Sequence, residues 1–414
     1  MKMLKRIFSK HNLSLGIVVL ALIVAFAGFN CGPGDLGASG ASGGGCSGSP
    51  VAQGWSGFTG GDGIVYLGTM KGKVAAIKPA TRTSGVDVAF PGQGEWYYSI
   101  QVTAPASLCG GGGCASQPLS SPVYSTPQID ADNVYVATYG GKLYALYRYP
   151  QSATKMSYRW VYPKEGDPAM GAIVGNLVLD NGVLYFGSSD GKLYAITTNE
   201  LQFKWEFQTG GKIWTTPVVK DGVVYVGSYD GSLYAVSAKD GSQLWSQKLK
   251  TGMASSPVIS GDMLYIGTFD NSLYALSTAD GREKWRVQGG NWFWATPVVV
   301  DDIIYAACLD KRVYAFDAAT GRELWRFETV SPVPSRPVFV NGLLTGVSES
   351  GELFILDGKT GQIKNTINLN AAVVAPLYAE GNTVYVHSKT RYAYAVDVQT
   401  GQIAWKLSLD IESK

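Results

Sequence analysis

A chain of 414 residues can hold two or three ordinary domains or one large repetitive one. Its net charge of +2, with no charged block beyond the first residues, argues against a dedicated nucleic-acid surface. Two histidines, His11 and His387, leave an imidazole metal site or a Ser-His-Asp hydrolase poorly supplied.

Residues 1–30 are of a different kind from the rest. "MKMLKRIFSKH" carries Lys2, Lys5, Arg6 and Lys10, and residues 13–29 then run without a charge. A basic segment before an apolar one is an export signal whose basic end stays in the cytoplasm. The expectation is an uncleaved signal-anchor helix, with two alternatives open. Ala25 and Ala27 offer a small-x-small cleavage site, and Cys31 is a lipidation candidate, although Phe29 and Asn30 depart from a Leu-Ala-Gly-Cys lipobox. All three place the rest of the chain outside the cytoplasm, at a cell membrane or, after cleavage, secreted.

Residues 31–50 are Gly/Ser-rich and read as a flexible tether. From residue 51 to 414 the chain repeats. Aligned on the aromatic of "VYVG", the units carry Tyr66, Tyr135, Tyr185, Tyr225, Tyr265, Tyr305, Thr345 and Tyr385, and the last five intervals are each 40 residues. Further registers hold in step: Tyr194, Tyr234, Tyr274 and Tyr314; Gly241, Gly281, Gly321, Gly361 and Gly401; Trp205, Trp245, Trp285, Trp325, Asn365 and Trp405. The count is eight units, with one large insertion at about 86–124. Within it "CGGGGC" sets Cys109 and Cys114 at the ends of a loop that an oxidising compartment would let close as a disulfide. A metal reading would need more ligands nearby. The insertion is either a specificity loop or a decoration packed on the first two units.

In the unit 214–252, four apolar or alternating runs are separated by Asp221-Gly222, Asp230-Gly231 and Asp240-Gly241. Each pair is a tight-turn signal, so the unit reads as a four-stranded antiparallel meander. Its middle strands are apolar on both faces, and a lone meander cannot cover both. Radial stacking of the units until the ring closes does so, which is an all-β, eight-bladed β-propeller.

"AFDAATGRELW" (315–325) and "AVDVQTGQIAW" (395–405) resemble the tryptophan-docking motif of the pyrroloquinoline-quinone (PQQ) type propeller repeat, Ala-x-Asp-x-x-Thr-Gly-x-x-x-Trp. The resemblance implies that Trp205, Trp245, Trp285, Trp325 and Trp405 each pack on the Gly-containing peptide of the adjacent blade, with a weak dock at Asn365. One branch of the family holds PQQ and calcium at the ring centre. The other resembles the propeller lipoprotein of the outer-membrane barrel-assembly machinery (BamB-like), a scaffold without catalysis. Quinoproteins usually stack the cofactor on adjacent cysteines, and this chain has no Cys-Cys pair. The expectation is therefore a non-catalytic, membrane-tethered, monomeric ring that binds a protein partner at or near the membrane, with no catalytic, cofactor or metal residues. A PQQ-dependent dehydrogenase and a small-ligand sensor remain alternatives.

Three residues before the inner-strand proline or its equivalent stand Trp55, Tyr124, Val174, Trp214, Ala254, Trp294, Pro334 and Val373. With Trp292, Phe293 and Arg336 they predict an aromatic mouth on the ring, either a binding platform or a plug. His387, where other units have Gly187, Gly227 and Gly267, reads as structural because no partner stands at a fixed spacing. Cys308 reads as a small buried residue.

Overall fold

The computed structural model describes residues 55–82, 89–102, 119–150, 158–199, 201–253 and 255–410. They form eight four-stranded sheets, each a meander of consecutive strands. In the fourth blade the strands are Val218–Lys220, Val223–Gly227, Ser232–Ser237 and Gln243–Lys248, all antiparallel. The first turn is the two-residue loop Asp221-Gly222, with φ of 51° and 76°. Two consecutive positive φ values make the tight hairpin whose twist suits the flanking strands. The expected propeller is what the chain builds.

The core is divided, and the division proves closure. Eight buried apolar clusters are present, and each draws its side chains from two neighbouring blades. An open array of eight blades would have one seam fewer. The eighth cluster joins Phe58, Val65 and Leu67 of the first blade to Tyr385, Trp405 and Leu407 of the last. First strands also approach one another around the axis, as Thr59–Gly61 does Gln128–Ile129.

The repeated Tyr, Trp and Gly are parts of one device. Trp205 Nε1 donates to the Ala238 carbonyl of the next blade at 3.1 Å, and Trp245, Trp285 and Trp325 do the same to Thr278, Ala318 and Gly358 at 3.0–3.1 Å. The second-strand hydroxyls of Tyr225, Tyr265 and Tyr305 reach those last three carbonyls at 3.3, 3.0 and 3.1 Å. The indole also lies flat against the next blade's glycine. A Cβ on Gly241, whose φ is +75°, would stand 2.8 Å from the Trp205 ring, so only glycine serves there.

Two docks escaped the sequence registers. Trp96 pairs with Ala76 and donates to the Arg148 carbonyl at 3.1 Å, whereas Trp160 pairs with Ala145 beside Tyr135 but its buried Nε1 has no partner among the described residues. Trp96 lies in the stretch read as an insertion. Residues 86–124 in fact supply the fourth strand of the first blade, Trp96–Ser99, and a short hairpin of Gln101–Val102 with Leu119–Ser120. Residues 83–88, residues 103–118 with Cys109 and Cys114, and residues 1–54 with the signal, the tether and Cys31, lie outside the described residues. Among the described residues no helix is long and apolar enough to cross a membrane.

His387 lies at the closing seam. It is 1 % exposed, and its Nδ1 lies 2.9 Å from the Ser56 carbonyl of the first blade. A carbonyl only accepts, so Nδ1 carries the proton. Burial pushes its pKa down to about 4. Lys71 and Asp410 add a surface ion pair at 3.5 Å across the same seam. Cys308 is fully buried, and burial raises its thiol pKa.

Candidate binding face around the ring axis

In blades two to eight the turn between second and third strands is tied to the lead-in of its own first strand. Tyr229 N–H donates to the Lys212 carbonyl, Phe269 N–H to Gly252, and Tyr139 N–H to Pro122, at 2.9, 3.1 and 2.8 Å. Turn residues and lead-in residues therefore share one face of the ring.

On blades four to six this face carries a continuous chain of five rings. Trp214 and Tyr229 have centroids 5.0 Å apart, Tyr229 meets Phe269 edge-on at 5.4 Å, and Phe269 meets Trp292 at 4.9 Å. Trp292 and Trp294 stack at 6.3 Å. Trp214 Nε1 donates to Ser189 Oγ of blade three at 2.7 Å, and Lys212 Nζ lies 5.5 Å from the Trp214 centroid. A second, shorter arc on blades one and two joins Trp55, Tyr124 and Tyr139 at 5.9 and 5.2 Å, with Lys389 of blade eight 5.7 Å from Trp55. Burial pushes the Tyr124 hydroxyl up to about 12 and raises that of Tyr229 as well, so both phenols stay neutral. Trp55, Tyr124, Trp214, Trp292 and Trp294 are each partly exposed.

Two expectations need correction. Phe293 does not belong to the mouth: it is 1 % exposed and packs against Tyr314 and Phe316 in the seam between blades five and six. Successive residues of an extended segment point to opposite sides, so Trp292 and Trp294 face outward and Phe293 inward. In blade eight the mouth position is Val374, since Tyr378 pairs with Tyr385 as Val218 does with Tyr225. Val373 bridges to Ser388 as Met253 does to Thr268, and it is wholly buried. The alignment slipped by one because Pro376 is not the counterpart of Pro217. Ala254 lies outside the described residues.

Sequence reasoning also passed over Tyr139, Tyr229, Phe269, Lys212 and Lys389. The signal was available. The residue two after the "VYVG" glycine reads Met70, Tyr139, Ser189, Tyr229, Phe269, Leu309, Glu349 and Lys389, and its aromatics fall beside the lead-in aromatics.

Three matches to one family model, described as outer membrane protein assembly factor BamB, cover residues 111–212, 202–309 and 309–414. The chain belongs to the BamB family. Among solved structures, this BamB-family ring is similar to BamB from Moraxella catarrhalis, with TM-score 0.58 and 20 % identity over 68 % of this chain and 87 % of that one. It is also similar to the computationally designed Ika8 protein, with TM-score 0.62 and 16 % identity over 87 % of this chain and 98 % of that one. At these identities both likenesses speak for the fold alone. No curated protein matches the chain.

The quinoprotein branch requires a calcium shell. Among the described residues no three His, Cys, Asp or Glu side chains come together to hold a metal ion, and no Cys-Cys pair stands in the sequence.

Proposed function

We propose that this chain is a non-catalytic scaffold, held outside the cytoplasm by its N-terminal segment, that captures a protein partner at or near the membrane on its aromatic face. The observation that carries the reading is the five-ring arc of blades four to six. The repeat does not require it, because Val174, Pro334 and Val374 fill the positions of Trp214 and Trp294 in other blades, and Ser189 and Leu309 fill those of Tyr229 and Phe269. Rigid, partly exposed aromatic area beyond the structural minimum suits an apolar, extended segment of another protein. Family membership supports the reading, since the matching family is named for an assembly factor.

The test is affinity capture from detergent-solubilised membranes with the full chain. Replacing Trp214 and Trp294 together by Ala is expected to weaken capture at least ten-fold, about 1.4 kcal/mol, with little change in melting temperature. Unchanged capture with a lower melting temperature would make the arc a plug. Dye-linked alcohol oxidation on adding quinone and calcium would overturn the scaffold reading in favour of a dehydrogenase.

A further inference from the structure

Two residues beyond the mouth position each blade places one residue next to the axis: Gly57, Thr126, Asn176, Thr216, Ser256, Thr296, Arg336 and Pro376. Half of this girdle is a closed relay. Gly57 N–H donates to Thr126 Oγ1 at 3.1 Å, Thr126 N–H to Asn176 Oδ1 at 2.7 Å, Asn176 N–H to Thr216 Oγ1 at 2.9 Å, and Thr216 N–H to Ser256 Oγ at 2.8 Å. Each blade thus gives its amide to a side-chain oxygen of the next.

At blade five the relay stops. The N–H groups of Ser256, Thr296 and Arg336 have no protein acceptor among the described residues, and Pro376 offers no N–H at all. In this sector the seventh blade carries a guanidinium where the relay would need an oxygen. Arg336 accepts one bond, from Leu377 N–H to its carbonyl at 3.1 Å, but no carboxylate among the described residues lies within ion-pair distance of its side chain.

The surroundings of Arg336 are unusual for an unpaired cation. Its side chain is accessible to solvent, yet protein encloses it closely enough that lost hydration lowers its pKa. A guanidinium that solvent can reach but that protein crowds has lost part of its hydration, and an anion would replace it. Three unbonded amides and a guanidinium thus sit at successive girdle positions, with no carboxylate among the described residues paired to the guanidinium.

We propose that the girdle sector of blades five to seven binds a carboxylate, with Arg336 as its counter-ion and the free amides of Ser256, Thr296 and Arg336 as further donors. A carboxylate presents two in-plane oxygens to the guanidinium fork. Trp294 stands two residues before Thr296, so the aromatic arc borders the sector and an apolar segment lying on it would bring an acidic side chain or chain end within reach. The inference deepens the scaffold reading and rests on it only for the source of the carboxylate, which is either a peptide or a small free acid.

The test uses the purified full chain in detergent, calorimetric titration and four probes: an acetylated Gly-Leu-Phe peptide with a free carboxyl end, the same peptide ending in an amide, sodium acetate, and inorganic phosphate. The parent is expected to bind the carboxyl-ended peptide at least ten-fold more tightly than the amide. Arg336→Thr should abolish that preference while melting no lower than the parent, since threonine restores the relay acceptor. Arg336→Lys should keep only part of the preference, because the ammonium lacks the fork. Acetate binding ten-fold weaker than the peptide supports the site and gives it a peptide source. Acetate binding equally well supports it with a small free acid. Absence of any preference in the parent, its survival in Arg336→Thr, or phosphate competing as well as acetate would overturn the proposal. The carboxylate preference persisting while partner capture fails would sink the scaffold reading alone.

Discussion

At the seam between blades five and six, Tyr265 and Trp285 both donate to the Ala318 carbonyl, and the indole rests on Gly321. At the seam between blades seven and eight the same three stations hold Thr345, Asn365 and Gly401. Asn365 reaches only the Gly401 carbonyl, at 3.5 Å, and Thr345 Oγ1 is buried with no partner. By the repeat spacing the shared acceptor would be the Val398 carbonyl, which receives no donor among the described residues. Gly401 keeps its φ of +67° although no indole covers it. The comparison teaches that Tyr, Trp and the acceptor carbonyl form one unit. Blade seven lacks both donors, and its seam is held by the apolar cluster of Val347, Ile355, Val384 and Val396.

The sharpest way to break this comparison is at the intact seam. Trp285→Ala should cost roughly 3–5 kcal/mol, since it removes a large aromatic and leaves the Ala318 carbonyl with one donor fewer. Thermal unfolding reads the loss, and a melting temperature equal to the parent's would mean that the docks do not hold the ring.

A third kind of seam, between blades eight and one, is expected to respond to pH. His387 has a folded pKa of about 4, against about 6.5 for an unfolded histidine. As pH falls below the upper value the unfolded chain takes up the proton first, so the stability present above it is lost progressively towards the lower value. The total is about 3 kcal/mol. Urea unfolding at pH 7 and pH 4.5 should show this loss, and His387→Gln should show a shallower dependence. Equal slopes in the two proteins would assign the acid sensitivity to other groups.

Repairing the depleted seam should give a smaller gain. Thr345→Tyr and Asn365→Trp together are expected to stabilise by about 1–2 kcal/mol, more than the two single changes summed, because the two new rings would pack on each other as Tyr265 and Trp285 do at 5.8 Å. Additive or negative effects in a double-mutant cycle would mean that this seam has repacked beyond repair. The smallest effect is expected from deleting residues 1–45: every described strand begins after them, so the melting temperature should stay within experimental error of the parent. Loss of β-sheet signal would mean that the deleted segment completes a blade.

The architecture was legible because the constraint recurs. An Asp-Gly turn or a docking Trp repeated at 40-residue spacing identifies itself by its copies. Trp96 and Trp160 were missed for the same reason: in the first two blades the loops before the fourth strand have other lengths, and fixed spacing loses them. The binding face was half legible. Trp214 and Trp294 stood out against Val174, but side-chain direction at Phe293 depends on a one-residue alternation that apolar content does not reveal. Arg336 was legible as part of the mouth, but the girdle's relay was not, since it joins residues 40 to 69 positions apart through bonds that only the ring creates.

Because every blade is one uninterrupted stretch of chain, seven of the eight seams join neighbours in sequence, whereas the last joins Ser56 to His387, 331 residues away. During synthesis the first seven can form in turn as each meander emerges, since each needs only the closure of a short loop. The eighth waits for nearly the whole polypeptide. Until then the growing arc shows an uncovered apolar blade face at each end, and a chain that stops early keeps both. Such truncated chains would be the ones most prone to stick to each other, blade face to blade face.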